Sequence, residues 1–215
     1  MKKIVLVCLM FVSSLAFFAC GDDVVMKNMS EITKLYFEGV CKEGFVSSIS
    51  VGQREKSYAV DGFHHKMCNF SLISLKTKEY MGEEIQVKLF VNKTEKEVTL
   101  FYHPINSLYI NDLGYCLDKD DEIILYFDEK EVFFTEISEK FNVNYKKAIE
   151  ISKKELKDEI KNLDKNGKFL GEFYLKILTK NDDKNLFWCF SLITQDGKSY
   201  NVLVSVEDEH KVFCT

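Results

Sequence analysis

The amino-acid sequence predicts an α+β fold: an N-terminal β-rich module followed by a helix packed on a four-stranded antiparallel meander. Three observations predict it. Between residues 45 and 110 short apolar runs alternate with polar residues, most clearly at Ile85, Val87, Leu89 and Val91 around Gln86 and Lys88, as a strand with one buried face requires. From Asn144 to about residue 163 the period becomes helical: Ala148, Ile149, Ser152, Leu156, Ile160 and Leu163 share a stripe, and Lys153, Lys154, Lys157, Asp158 and Lys161 take the rest. Beyond Asn166-Gly167, which stops that helix, strand-like runs return to the end of the chain.

Taken in order, residues 30–117 form the β-rich module. Residues 30–42 are expected to be helical, because Ile32, Leu35, Tyr36 and Val40 fall on one helical face with Ser30 as N-cap. Strands are expected over 45–51, 57–60, 69–75, 85–91, 98–103 and 107–110, with 92–97 as a polar hairpin loop. Residues 118–142 read as an acidic linker, Asp118 to Glu122, followed by two bridging strands over 123–127 and 132–137. The acidic run lacks the turn glycine and the regular ligand spacing of a calcium loop, so it reads as solvated surface.

Residues 143–215 hold the helix and strands over 169–179, 186–194, 200–206 and 211–214. Gln195-Asp196-Gly197 suits a three-residue hairpin loop, pairing Leu192 with Tyr200, Phe190 with Val202 and Trp188 with Val204 on one apolar face. A two-residue turn would set Leu192 against Asn201 and break that face, so register selects the loop. A helix followed by strands carrying Trp188-Cys189-Phe190, Asp196-Gly197, Tyr200-Asn201-Val202 and Lys211-Val212-Phe213 resembles the PepSY-type, cystatin-like domain. The resemblance implies a non-catalytic domain with a binding or inhibitory role.

The N-terminus carries a compartment signal. Lys2 and Lys3 precede an uncharged run from Ile4 to Ala19, shorter than the ~20 apolar residues a spanning helix needs, as in a secretory signal peptide. It ends in Phe17-Phe18-Ala19-Cys20, which resembles the lipobox of bacterial lipoproteins. That resemblance implies cleavage of residues 1–19, lipidation of Cys20 and residues 20–29 as a tether. It implies a cell-envelope protein whose membrane partner is reached through palmitate-like acyl chains. Gly21, where inner-membrane lipoproteins usually carry Asp, implies the outer membrane, facing the periplasm or the surface.

The net charge is −5, and losing Lys2 and Lys3 makes the mature chain more acidic. Nucleic acid is excluded as a partner, since counterion release needs clustered Lys and Arg, and the lysines here are interspersed with acids. Cys41, Cys68, Cys116, Cys189 and Cys214 remain after Cys8 and Cys20, an odd number in a compartment that permits disulfides.

Candidate chemistry is sparse. His64, His65, Met67 and Cys68 offer the imidazole, thioether and thiol that suit copper. Neighbours on a strand point to opposite faces, so a loop or a remote ligand such as His103 or Cys116 would be needed. No Gly-x-Ser-x-Gly elbow, Ser-x-x-Lys, phosphate loop, dinucleotide fingerprint or Cys-x-x-Cys occurs, and no catalytic residue or cofactor is expected. Phe187, Cys189, Ile193 and Leu203 fall opposite the helix side of the last sheet and make an apolar face, expected to pack on the N-terminal module or a partner. The expected function is a non-enzymatic envelope lipoprotein that binds or inhibits a protein or peptide. The alternatives are a copper handler or enzyme built on residues 64–68, and a purely structural envelope component.

Overall fold

A computed structural model describes residues 23–40, 46–56, 63–165, 167–179 and 185–215. The expected signal peptide, Cys20, the start of the tether, Cys41, the strand over 57–60 and Asn166 lie outside these residues. A short helix α1 (Val24–Lys27) leads into β1 (Met29–Val40), β2 (Val46–Glu55), β3 (Met67–Lys76), β4 (Glu84–Val91), β5 (Thr94–His103), β6 (Leu108–Asp112), β7 (Ile123–Phe127) and β8 (Lys130–Glu136). Helices α2 (Tyr145–Glu155) and α3 (Lys157–Leu163) follow. The chain ends with the small β9 (Asp164–Lys165) and β10 (Lys168–Phe169), then β11 (Gly171–Thr179), β12 (Leu186–Thr194), β13 (Ser199–Ser205) and β14 (Val212–Cys214).

The architecture turns on β1. Its edge opposite β2 is shared: Met29 to Ile32 pair in parallel with Phe173 to Leu175 of β11, and Phe37 to Val40 pair antiparallel with Phe133 to Glu136 of β8. The second pairing closes β1-β2-β3-β6-β5-β4-β7-β8 into an antiparallel barrel. The first carries the same sheet onward through β11, β12, β13 and β14. This corrects the α+β expectation. The protein is mostly β, with a closed eight-stranded barrel and three short α-helices among the described residues. β7 and β8, read as bridging strands, are staves of the barrel, and the C-terminal strands extend the barrel's own sheet.

Of the helix expected over residues 30–42, the described residues 30–40 are instead strand β1, and the cause of the helical pattern is a bulge. Thr33 lies opposite Gly52 and Leu35 opposite Val51, leaving Lys34 as the extra residue. Residues on one face of a strand are normally two apart, but a bulge moves that spacing to three. Ile32 and Leu35 therefore share a face while remaining in a strand, which mimics helical spacing. Tyr36 and Val40 point the other way.

Side chains fill the barrel: Phe37, Ile49, Leu75, Leu89, Leu100 and Tyr109 are all buried within one cluster. The Tyr109 hydroxyl accepts from the Met81 N–H at 2.7 Å and donates to the Gly82 carbonyl at 2.9 Å, which satisfies its polar end. Outward positions such as Ser48, Gln86, Lys88 and Thr99 are polar. An interior filled with apolar side chains is unlike the polar interior of a membrane-spanning barrel. No helix among the described residues is long and apolar enough to cross a membrane.

The second core forms where α2 meets the extended sheet. Asn144 caps α2, its side chain accepting from the Lys147 N–H at 3.0 Å, and Ala148, Ile149 and Leu156 join Phe173, Trp188, Phe190 and Val202 in one buried cluster. The β12–β13 hairpin has the register the sequence favours: Leu192 faces Tyr200, Phe190 faces Val202 and Trp188 faces Val204. The 92–97 loop is tighter than expected. Asn92 and Lys93, both at positive φ, make a two-residue turn, as do Asp128 and Glu129 between β7 and β8.

Candidate functional site

Outward-facing apolar residues line up across the barrel wall at the seam closed by β1 and β8. Val46 of β2 faces Val40 of β1, which faces Phe133 of β8, which faces Ile124 of β7, which faces Phe90 of β4. Side chains directly opposite on neighbouring strands stand ~5 Å apart, so these residues form one continuous row. Val46 is 64% exposed, Val40 60% and Phe133 51%, while Ile124 and Phe90 are half-buried and Phe90 meets Tyr126 edge-on at 5.1 Å.

Packing inside the barrel does not account for the row. The inward neighbours are small: Gly39 beside Val40, and Ser47 beside Val46, whose hydroxyl donates to the Ser74 carbonyl at 2.7 Å. The space there is taken by β8, since a Cβ on Gly39 would lie 2.8 Å from Val132 Cγ1 and 3.0 Å from Phe134 Cε1. Val40 and Val46 thus serve no interior contact, and a contiguous exposed apolar patch marks a contact surface; Phe101, 52% exposed opposite Ile110, is a second and smaller apolar spot on the wall. Sequence reasoning missed this row. Its one local signal is Val132-Phe133-Phe134, where alternation forces one apolar side chain outward.

The row is ringed by acids. Glu38 precedes Val40 on the same outer face, Glu131 precedes Phe133, Glu122 precedes Ile124, and Glu95 lies opposite Phe90. Among the described residues the cations beside the row are Lys76, opposite Val46, and Lys88, which bridges Glu95 at 2.9 Å.

The candidate copper residues do not converge. Met67 and Cys68 open β3 on opposite faces, with Met67 beside Glu55 and Cys68 beside Arg54. His64 lines an open cleft of about 540 Å³ with Lys27, Phe63, Asp164 and Lys168. Its Nδ1 lies 3.5 Å from the carboxylate of buried Glu55, which also accepts the His65 N–H at 2.5 Å. The cluster thus satisfies a buried carboxylate. Tyr102, next to His103, stands level with Leu75 through Tyr109, seven residues along β3 from Cys68, or ~23 Å at strand rise, and His103 lies one residue further still. It serves neither as a remote ligand nor as a base for that thiol. Among the described residues no three or more His, Cys, Asp or Glu side chains are grouped to hold a metal ion.

Cys116, Cys189 and Cys214 are held in the thiol form. Burial pushes Cys189 up, and Cys116 and Cys214 are raised by burial and then by the carboxylates of Asp118 and of Glu155 and Glu159. Raised values keep the thiol form and suppress nucleophilicity. Cys68, Cys116, Cys189 and Cys214 are all free. A four-residue turn over 207–210 between the expected strands would set Cys214 beside Leu203, but the turn after β13 is one residue longer: Phe213 faces Leu203 and Cys214 faces Val202. A one-residue slip exchanges faces, so Cys214 lies on the helix side of the sheet, 4.0 Å from Glu155, and Cys189 on the other. Of the expected contact face, Phe187 is buried, with its ring against Phe213 at 5.9 Å, while Cys189, Ile193 and Leu203 are half-buried. Lys176 and Glu31, 3.2 Å apart, make that face more polar than Phe187 and its neighbours suggest.

No family model, no curated protein and no solved structure matches this chain.

Proposed function

We propose that this chain is a non-enzymatic lipoprotein of the bacterial cell envelope that binds a protein or peptide through the outer wall of its barrel. The observation that carries the binding role is the continuous exposed row Val46, Val40 and Phe133 on the outer wall of the barrel. The filled barrel interior, the suppressed thiols and the engagement of His64 with Glu55 favour binding over catalysis. The PepSY-type resemblance of residues 143–214, a non-catalytic family, agrees with this reading. The lipobox-like Phe17-Phe18-Ala19-Cys20 supports the anchor, and two or three acyl chains hold a protein firmly, at ~0.8 kcal/mol per buried methylene.

Metabolic labelling with a palmitate analogue in a bacterial host tests the anchor. Wild type is expected to carry the label in the membrane fraction, and Cys20→Ser is expected to lose it and to accumulate uncleaved. An unlabelled wild type would remove the lipoprotein reading.

A further inference from the structure

We infer that the row from Val46 through Val40 and Phe133 to Ile124 and Phe90 docks a cationic amphipathic polypeptide, one that presents apolar side chains between lysines or arginines. The inference deepens the proposed binding role, and one of its two arguments rests on the lipid-anchor reading.

The first argument is charge. The row itself is apolar, but Glu38, Glu122 and Glu131 stand beside it, Glu95 and Lys88 neutralise each other, and Lys76 stands only at the Val46 end. Complementary potential governs which partners a patch accepts, and like charge placed against it is disfavoured. An anionic bilayer or an acidic segment meets repulsion from Glu38, Glu131 and Glu122 along this row. A segment with alternating apolar and basic residues places the former on Val40 and Phe133 and the latter on the glutamates. A second copy of this acidic chain would bring the same glutamates face to face.

The second argument is position. Asp23 is three residues from Cys20, so a lipid on that cysteine holds α1 within ~11 Å of the bilayer surface. From α1 the chain enters β1 at Met29 and reaches the row at Val40, eleven steps later, about 35 Å along the strand. The anchor and the row are at opposite ends of β1. The attachment point is thus at the far end of β1 from the row, so the anchor itself does not place the row against the bilayer.

The test uses the full chain in neutral phosphatidylcholine vesicles, with empty vesicles as blank and fluorescence anisotropy as readout. The probes are a fluorescent peptide of alternating leucine and lysine and its leucine–glutamate counterpart. The leucine–lysine peptide is expected to bind, to weaken as salt rises, and to bind at least tenfold more weakly to Phe133→Ser. Val40→Thr combined with Val46→Thr, nearly isosteric and on the surface, should reproduce the loss with an unchanged melting temperature. Equal binding of both peptides, or binding indifferent to these substitutions, would overturn the inference. So would Phe133-dependent adsorption to anionic phosphatidylglycerol vesicles, or Phe133-dependent self-association. Should Cys20 prove unlabelled, the same titration on the unanchored chain still decides the charge argument, so the two failures are told apart.

Discussion

Gly52→Ala is expected to be the most damaging single-methyl substitution in the barrel. Gly52 lies under the bulge of β1, where the Ile32 carbonyl crosses so closely that an added Cβ would stand 1.9 Å from its oxygen and 2.9 Å from its carbon. Both partners are backbone, so no rotamer change relieves the clash. β1 and β2 must separate at the point where the barrel becomes the second sheet. A cost on the order of 4 kcal/mol belongs to the large class of point-mutant effects, and in a chain of this size it lowers Tm by roughly 8–16 °C. Ser50→Ala, two residues away on the outer wall, is the control and should change little. Thermal unfolding followed by circular dichroism reads both. A Gly52→Ala protein that melts with wild type would mean that β1 does not cross β2 at this bulge.

Trp188→Ala is expected to cost about as much, by a different route. Trp188 is 1% exposed at the centre of the cluster between α2 and the sheet, and Phe141 meets it edge-on at 6.0 Å. Its Nε1–H donates to the Val143 carbonyl at 2.7 Å, fixing the turn that leads into α2. Truncating a buried aromatic to alanine costs ~3–5 kcal/mol through lost burial and the cavity left behind. Trp188→Phe keeps much of the volume and leaves the carbonyl unpaired, for ~1–3 kcal/mol. Urea unfolding must be followed by circular dichroism, because Trp188 is the only tryptophan and its fluorescence leaves with it. The order wild type, Trp188→Phe, Trp188→Ala is the expected result. Equal stability of all three would remove the helix-to-sheet cluster as a core.

What was legible in the sequence was local. The Asn144 cap, the Gln195-Asp196-Gly197 loop and the Trp188–Val204 register depend on residues near one another, and the structure has all three. What was not legible is pairing over distance. Nothing near Val40 announces Phe133 as its neighbour, and nothing near Ile32 announces Leu175, yet these pairings close the barrel and extend it. The bulge at Thr33 and Leu35 then disguised β1 as a helix, which hid the strand that makes both. The turns at Asn92-Lys93 and Asp128-Glu129 put non-glycine residues at positive φ, so neither showed the usual glycine. The exposed row escaped notice for the same reason as the barrel. Val40, Val46 and Phe133 are unremarkable until β1 stands between β2 and β8.

The fold, the seam that exposes the row and its separation from the anchor all depend on β1 using one edge for two partners. Cross-strand amide contacts in a nuclear Overhauser spectrum of the deuterated full chain measure this directly. The predicted result is that β1 shows antiparallel contacts to β8 around Gly39 and Phe134, and parallel contacts to β11 around Ile32 and Leu175. Sequential helical contacts through residues 30–40, or a β1 with β2 as its only neighbour, would contradict the account.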